Sequence, residues 1–296
     1  MRRLRLGLIG LGRWGRNIER TLLSFDDISL TLIGRGASAP ADLDAVLVAT
    51  PGGTHAEVAL PYIEKGIATF IEKPMTTSVA DAERIWQAAL VSNSLVFVGH
   101  TDLYNPAFQQ AVDMLPALGP VRHLLFEGMN NRPRPELSVL WDWLPHHLAA
   151  ARSVLGSDPT RAATWAMSAD WRLGTAAVRF EFKSTPVLSM VSWQSPIRMR
   201  RMTIACEAGT LVFDDMKDTK LTLHRDGHEP STPEYGGERP LTLEMRAFID
   251  AVATGNSDRS HLEAAVAITR AIAAAERSAN EGGIPVAFES GMPSRS

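Results

Sequence analysis

From residue 4 to residue 98, short aliphatic runs alternate with longer amphipathic stretches. The runs Leu4–Ile9, Leu30–Ile33, Ala45–Ala49, Ala68–Ile71 and Leu95–Val98 are nearly continuous in Val, Ile, Leu and Ala, the pattern of strands buried on both faces of a parallel sheet. The stretches between them repeat their apolar positions at helical spacing. A helix is predicted over Thr54–Lys65, stopped by Gly66, and another over Ser78–Val91, with Ser78 capping its N-terminus ahead of Asp81. Strand alternating with helix predicts a doubly wound α/β sheet. One connection breaks the pattern: only eleven residues, rich in Gly, Ala, Ser and Pro, separate Ile33 from Ala45. That barely suffices for a parallel crossover and leaves no room for a helix, so one flank of the sheet is expected to be bare or covered by something else.

Beyond Gly99 the pattern changes. A helix is predicted at Pro106–Leu115 and a strand at Val121–Glu127, followed by a polar, Pro-containing loop from Asn130 to Pro135. Alternating runs such as Ala177–Phe182 and Val187–Trp193 predict a mainly antiparallel sheet with one covered face between Arg161 and Leu223. Two amphipathic helices, Leu243–Ala253 and His261–Ala279, close the chain. The expected organisation is a Rossmann domain over residues 1–104 and an α+β substrate-binding and oligomerisation domain with an open-faced sheet over 105–296, its last helices free to return to the first domain.

Composition narrows the partners. With 30 Lys+Arg against 33 Asp+Glu the formal charge is −3, which carries no footprint for nucleic acid or an anionic membrane. A lone cysteine, Cys206, rules out an intrachain disulfide and suits a reducing cytoplasm, and no apolar run is long enough to span a bilayer. The basic start Met1–Arg5 is read as leading into a strand and turn rather than a signal peptide, because Gly7, Gly10, Gly12 and Gly15 interrupt the apolar segment.

The chemistry begins at Gly10-Leu11-Gly12-Arg13-Trp14-Gly15, directly after the first strand and opening a helix. In that setting the first glycine makes the tight turn, the second lets a pyrophosphate approach the backbone, and the third packs helix on strand. The helix N-terminus adds amide donors and a favourable dipole. An acid that would read the ribose is expected about 20 residues on, but Gly34-Arg35-Gly36 stands there. A guanidinium at Arg35 can pair with a 2′-phosphate, which leans towards NADP over NAD; the alternative is a solvated arginine in a shortened crossover. Thr50-Pro51-Gly52-Gly53-Thr54-His55 and Glu72-Lys73-Pro74 follow the third and fourth strands, at the edge where open α/β sheets bind their ligands. Thr50, Pro51, His55, Glu72 and Lys73 therefore join Gly10 to Gly15 and Arg35 as cofactor-binding candidates.

With the glycine turn, Ala49-Thr50-Pro51…Thr54-His55 and Glu72-Lys73-Pro74, the chain resembles the Gfo/Idh/MocA family, named for glucose–fructose oxidoreductase and inositol dehydrogenase. Val98-Gly99-His100-Thr101…Asn105-Pro106 looks like that family's crossing into its second domain, and Asp142-Trp143-Leu144-Pro145-His146 like its Asp-x-x-x-His catalytic element. Ser192-Trp193, Gly209 and Phe213-Asp214-Asp215 echo its sheet, and Phe248 and Ser278 its closing helices, so the likeness runs from about residue 4 to about residue 287.

The resemblance implies hydride transfer between a nicotinamide and a secondary alcohol or ketone of a sugar, cyclitol or nucleotide sugar, with Lys73 and His146 on its proton side. It further implies a homo-oligomer, commonly a dimer through the open sheet face. The wording around Leu137–Trp143 and Ser192–Asp215 most resembles members acting on nucleotide sugars. Asp142 and His146, four apart, share one helix face, where the carboxylate can position substrate or imidazole; Pro145 suits such a helix if it falls in the first turn. His147 points about 100° away and packs or meets solvent, and a His146/His147 metal site is not expected. Asn130-Asn131-Arg132-Pro133-Arg134 is either an anion-meeting loop or an exposed basic one. Two features depart from the family: the helix missing after the second strand, and Ala149 where many members carry a second Asp. A non-catalytic NAD(P)-binding regulator of the same fold fits poorly with Lys73, Asp142 and His146 all present, whereas an imine reductase, or bond cleavage through transient oxidation, would keep the cofactor and change the reaction.

Overall fold

Leu6 to Ile9 are all buried, as a strand covered on both faces requires. The computed structural model describes residues 3–34, 40, 42–134, 136–256 and 258–289. The chain forms two compact units, divided at Thr101/Asp102, Glu238/Arg239 and Thr269/Arg270.

In the first unit β1 (Leu4–Ile9), α1 (Gly15–Leu22), β2 (Ile28–Ile33), β3 (Ala45–Val48), α2 (His55–Ile63), β4 (Ala68–Glu72), α3 (Val79–Ser92) and β5 (Val96–Gly99) follow one another. The five strands are parallel, in the order β2-β1-β3-β4-β5. Strand order reverses between β1 and β3, and a ligand crevice opens at such a switch. Period-two alternation sorts the side chains. Ile9, Val46, Val48, Ile71, Val96 and Val98 pack with α2 and α3 on one face, while Phe70 and Phe97 on the other meet Phe248 at ring distances of 5.6 Å. Burial of each such aromatic ring stabilises by about 2–3 kcal/mol. Ser78 caps α3 by accepting the Asp81 N–H at 3.3 Å, and Gly66 turns the chain after α2 at φ 75°.

The edge strand β2 leaves Leu32 44% exposed, in line with a thinly covered flank. Residues 35–39 and 41, and with them Arg35, lie outside the described residues.

The second unit contains α4 (Pro106–Asp113), α5 (Leu115–Leu118), β6 (Val121–Met129), α6 (Val139–Leu155), β7 (Arg161–Ala166), β8 (Thr175–Phe182), β9 (Thr185–Ser192), β10 (Met199–Cys206), β11 (Thr210–Asp214) and β12 (Leu221–His224). After α7 (Pro240–Ala253) and α8 (Ser260–Asn280), β13 (Val286–Ala287) completes an eight-stranded sheet in the order β12-β11-β10-β6-β9-β8-β7-β13. Every pairing in it is antiparallel except β6 with β9. Strands such as β8 alternate cleanly between buried and more exposed positions. Helix α6 packs on the buried face of β6, β8 and β9, and the other face carries Leu188 and Trp165, 40% and 49% exposed.

The sequence left two points open. Arg239–Thr269, which holds α7 and the first half of α8, groups with the first unit, so the boundaries 1–104 and 105–296 follow chain order rather than packing. Pro145 is the seventh residue of α6 rather than part of its first turn. An interior proline costs about 3 kcal/mol through its lost N–H bond, which burial of Val139 to Pro145 offsets.

Candidate functional site

The glycine turn of the first unit separates what the protein itself requires from what it leaves open. Gly10 sits at φ +97°, where a Cβ would lie 2.5 Å from the Ala49 carbonyl. At Gly15 a Cβ would lie 1.8 Å from the Gly10 oxygen, so only glycine lets α1 start against β1. Among the described residues nothing stands within 4 Å of a Cβ on Gly12, and Gly12, Arg13 and Trp14 are exposed, with Leu11 half-buried. Packing among those residues does not demand a glycine at residue 12, and its backbone is open to the approach of a ligand. Helix α1 carries no acid in its first turn, as a phosphate at that end would require. The turn fits a dinucleotide pyrophosphate.

At the ends of β3 and β4 the candidate residues brace one another. The His55 ring is buried between two carbonyls, Nε2 being 2.7 Å from Thr50 O and Nδ1 2.9 Å from Pro74 O. Burial pushes its pKa down although both carbonyls favour the protonated ring, so His55 is a strut between the two strand ends. Glu72 is buried as well and accepts a hydrogen bond from the Trp14 indole. Burial pushes its carboxyl up to about 7, against the pull of Trp14 and Lys73. The backbone N–H of Lys73 donates to Glu72 at 3.2 Å, and its side chain is half-buried. Glu72 thereby joins the glycine turn to the end of β4.

In the second unit, α6 carries Asp142, His146 and His147. Asp142 is buried and accepts from the Trp193 indole at 3.1 Å, while Arg134 pairs with its other oxygen at 3.2 Å. Of the basic loop, Arg134 therefore has a partner within this unit, and Trp193 anchors a carboxylate besides filling the core. The carboxylate beside His146 is that of Asp102, with Oδ2 2.9 Å from Nδ1. Sequence reasoning missed Asp102: an acid in the crossing segment is visible, but its partner 44 positions later is not.

His147 packs. Its ring stacks on Phe126 at 4.9 Å and 19°, and burial drives its pKa down to about 3, so it is neutral at physiological pH. His146 and His147 line a pocket of about 460 Å³, counting its open mouth, together with Trp143, Phe126, Phe213 and Arg200. Among the described residues no three His, Cys, Asp or Glu side chains gather as metal ligands would, and no helix is long and apolar enough to cross a membrane.

Residues 35–100 match the model of the oxidoreductase family with an NAD-binding Rossmann fold. A solved structure from Magnetospirillum magnetotacticum MS-1, described as a candidate oxidoreductase, is similar to this chain at 31% identity and TM-score 0.81, over 92% of this chain and 99% of that one. Inositol 2-dehydrogenase 3 of Saccharopolyspora erythraea is 25% identical over 85% of this chain and 86% of its own length. UDP-N-acetylglucosamine 3-dehydrogenase of Acidithiobacillus ferrooxidans is 24% identical over 84% and 89%.

Proposed function

We propose, from the premise that this chain belongs to the Gfo/Idh/MocA family of oxidoreductases, that it oxidises a secondary ring alcohol of a cyclitol, sugar or nucleotide sugar, or reduces the matching ketone. The observation that carries the cofactor half of the reading is Gly12, open to approach between two glycines that the backbone itself demands. The substrate class rests on the relatives, whose names, inositol 2-dehydrogenase and UDP-N-acetylglucosamine 3-dehydrogenase, share one chemistry, a secondary alcohol on a six-membered ring.

When bound, the nicotinamide supplies the hydride acceptor or donor. The turn from Gly10 to Gly15 would receive its pyrophosphate, with Thr50 and Pro51 at the end of β3 and His55 and Glu72 holding the strand ends in register. Arg35 would pair with a 2′-phosphate, which favours NADP. The Lys73 ammonium would hold the alcohol oxygen, and His146 would take its proton as hydride leaves. Asp142, committed to Trp193 and Arg134, would fix the loop beside the substrate. The sheet face that bears the exposed Trp165 and Leu188 would pair with a second copy, since exposed apolar side chains favour association. A reducing cytoplasm suits the lone Cys206.

The deciding experiment follows nicotinamide absorbance while cyclitols, sugars and nucleotide sugars are screened with both cofactors. At least one pair is expected to turn over, and Lys73→Met and His146→Ala should each lower that turnover by roughly 10²- to 10⁴-fold with cofactor affinity nearly unchanged. Cofactor binding with no turnover of any pair would point instead to a regulator built on this fold.

A further inference from the structure

We propose that Asp102 is the positioning residue for His146, fixing the proton on Nδ1 so that Nε2 is the basic nitrogen; the catalytic consequence rests on the role given to His146 above. The two come from different elements of the second unit, Asp102 from the short 3₁₀ turn Thr101–Tyr104 and His146 from α6. The Nδ1–Oδ2 separation is 2.9 Å, with the carboxylate off the line an N–H donor prefers. Hydrogen bonds of this kind commonly tighten only once substrate is bound.

The carboxylate's position has a chemical consequence. A neutral imidazole carries one proton, and which nitrogen holds it follows the partner of the other. A carboxylate accepts only, so beside Nδ1 it selects the Nδ1–H tautomer. The side chain of His146 is 14% exposed and that of Asp102 41%, and both line the same pocket. His147 does not compete for this role. It is buried on Phe126 and kept neutral, with Asp102 acting on it only as a charge. Asp142, the acid that shares a helix face with His146, is held by Trp193 and Arg134.

In the oxidation direction a bound oxidised nicotinamide would supply the acceptor for the hydride that leaves the carbinol C–H bond. The alcohol O–H proton passes to Nε2 of His146, and the C=O bond forms. The Asp102 carboxylate accepts from Nδ1–H and would stabilise the imidazolium that results, as an orienting carboxylate does for a general base.

The test uses the full-length protein with ¹⁵N-labelled histidine, the His146 signals being assigned by their loss in His146→Ala. The wild type is expected to show the Nδ1–H tautomer at His146, and Asp102→Asn to lose that preference, because an amide can donate to Nδ1 as well as accept. In parallel, Asp102→Asn should lower kcat at least about 10-fold, since loss of the carboxylate that orients a general-base histidine costs up to about 10⁴-fold. KM and cofactor affinity should stay within about twofold, and Asp102→Glu should recover part of the loss. An unchanged tautomer, or wild-type kcat in Asp102→Asn, overturns the proposal. Wild-type turnover in His146→Ala removes the catalytic consequence of the pair, and is read on a different signal from the tautomer. Two kinds of failure are thereby distinguished. Because Asp102 is on the surface, the Asn variant is expected to melt with the wild type, so a loss of kcat is not a loss of fold.

Discussion

His147 makes the protein acid-sensitive in a way that one substitution can isolate. Its ring is buried, stacked on Phe126, and Nδ1 has no hydrogen-bond partner among the described residues. Burial is the main cause of its low pKa, helped by the charges of His146 and Arg200 and opposed by Asp102. The unfolded chain titrates this histidine near 6.5 and the folded one near about 3. Between those values the unfolded state binds the proton and the native state does not, so stability falls as pH falls through that window. At 1.36 kcal/mol per pH unit the loss reaches roughly 3 kcal/mol by pH 4 and saturates at somewhat under 5 kcal/mol near pH 3. Against a total stability of about 5–15 kcal/mol this is a large share. His147→Phe keeps a stacking ring and removes the titration. Any crowding against Gly128, whose backbone approaches His147 Nε2, is the same at every pH. Urea unfolding at pH 8 and pH 4, followed by tryptophan fluorescence, should show the variant losing roughly 3 kcal/mol less than the wild type between the two. Equal losses in both proteins would refute the reasoning.

Glu72 works in the opposite sense. Its folded pKa of about 7 exceeds the ordinary 4.5, so its contribution is favourable at low pH and lost as pH rises through about 7. Glu72→Gln should therefore gain up to roughly 3 kcal/mol at pH 8 and little at pH 4 by denaturant unfolding. In the glycine turn, Gly12→Ala should melt with the wild type yet lose cofactor affinity at least about tenfold in a fluorescence titration, because its Cβ meets no atom of the described residues within 4 Å. Gly15→Ala, with a Cβ 1.8 Å from Gly10 O, should lower the melting temperature as well, at an overpacking cost of about 1–3 kcal/mol. Sedimentation at micromolar protein should give a species of at least twice 32.3 kDa, and a monomer at every concentration would exclude pairing through the exposed sheet face.

What the sequence determined by itself is whatever local pattern can carry. Burial on both faces wrote the strands of the first unit as unbroken aliphatic runs, and the short-range geometry of a strand–turn–helix made the glycine motif legible residue by residue. Ser78 and Gly66 marked helix ends because a cap and a left-handed residue act over a single turn. Tertiary structure alone decided the pairings between distant residues. The parallel meeting of β6 with β9 and the grouping of Arg239–Thr269 with the first unit depend on which apolar faces find one another, and an apolar stripe does not name its partner. The same holds for the candidate site. Neighbouring letters made Asp142 the obvious companion of His146, but folding gave Asp142 to Trp193 and Arg134 and brought Asp102 beside the imidazole. The two adjacent histidines differ for the same reason: Phe126, packed beneath α6, desolvates His147 and keeps it neutral, and desolvation is a property of the surrounding volume rather than of the residues next in the chain.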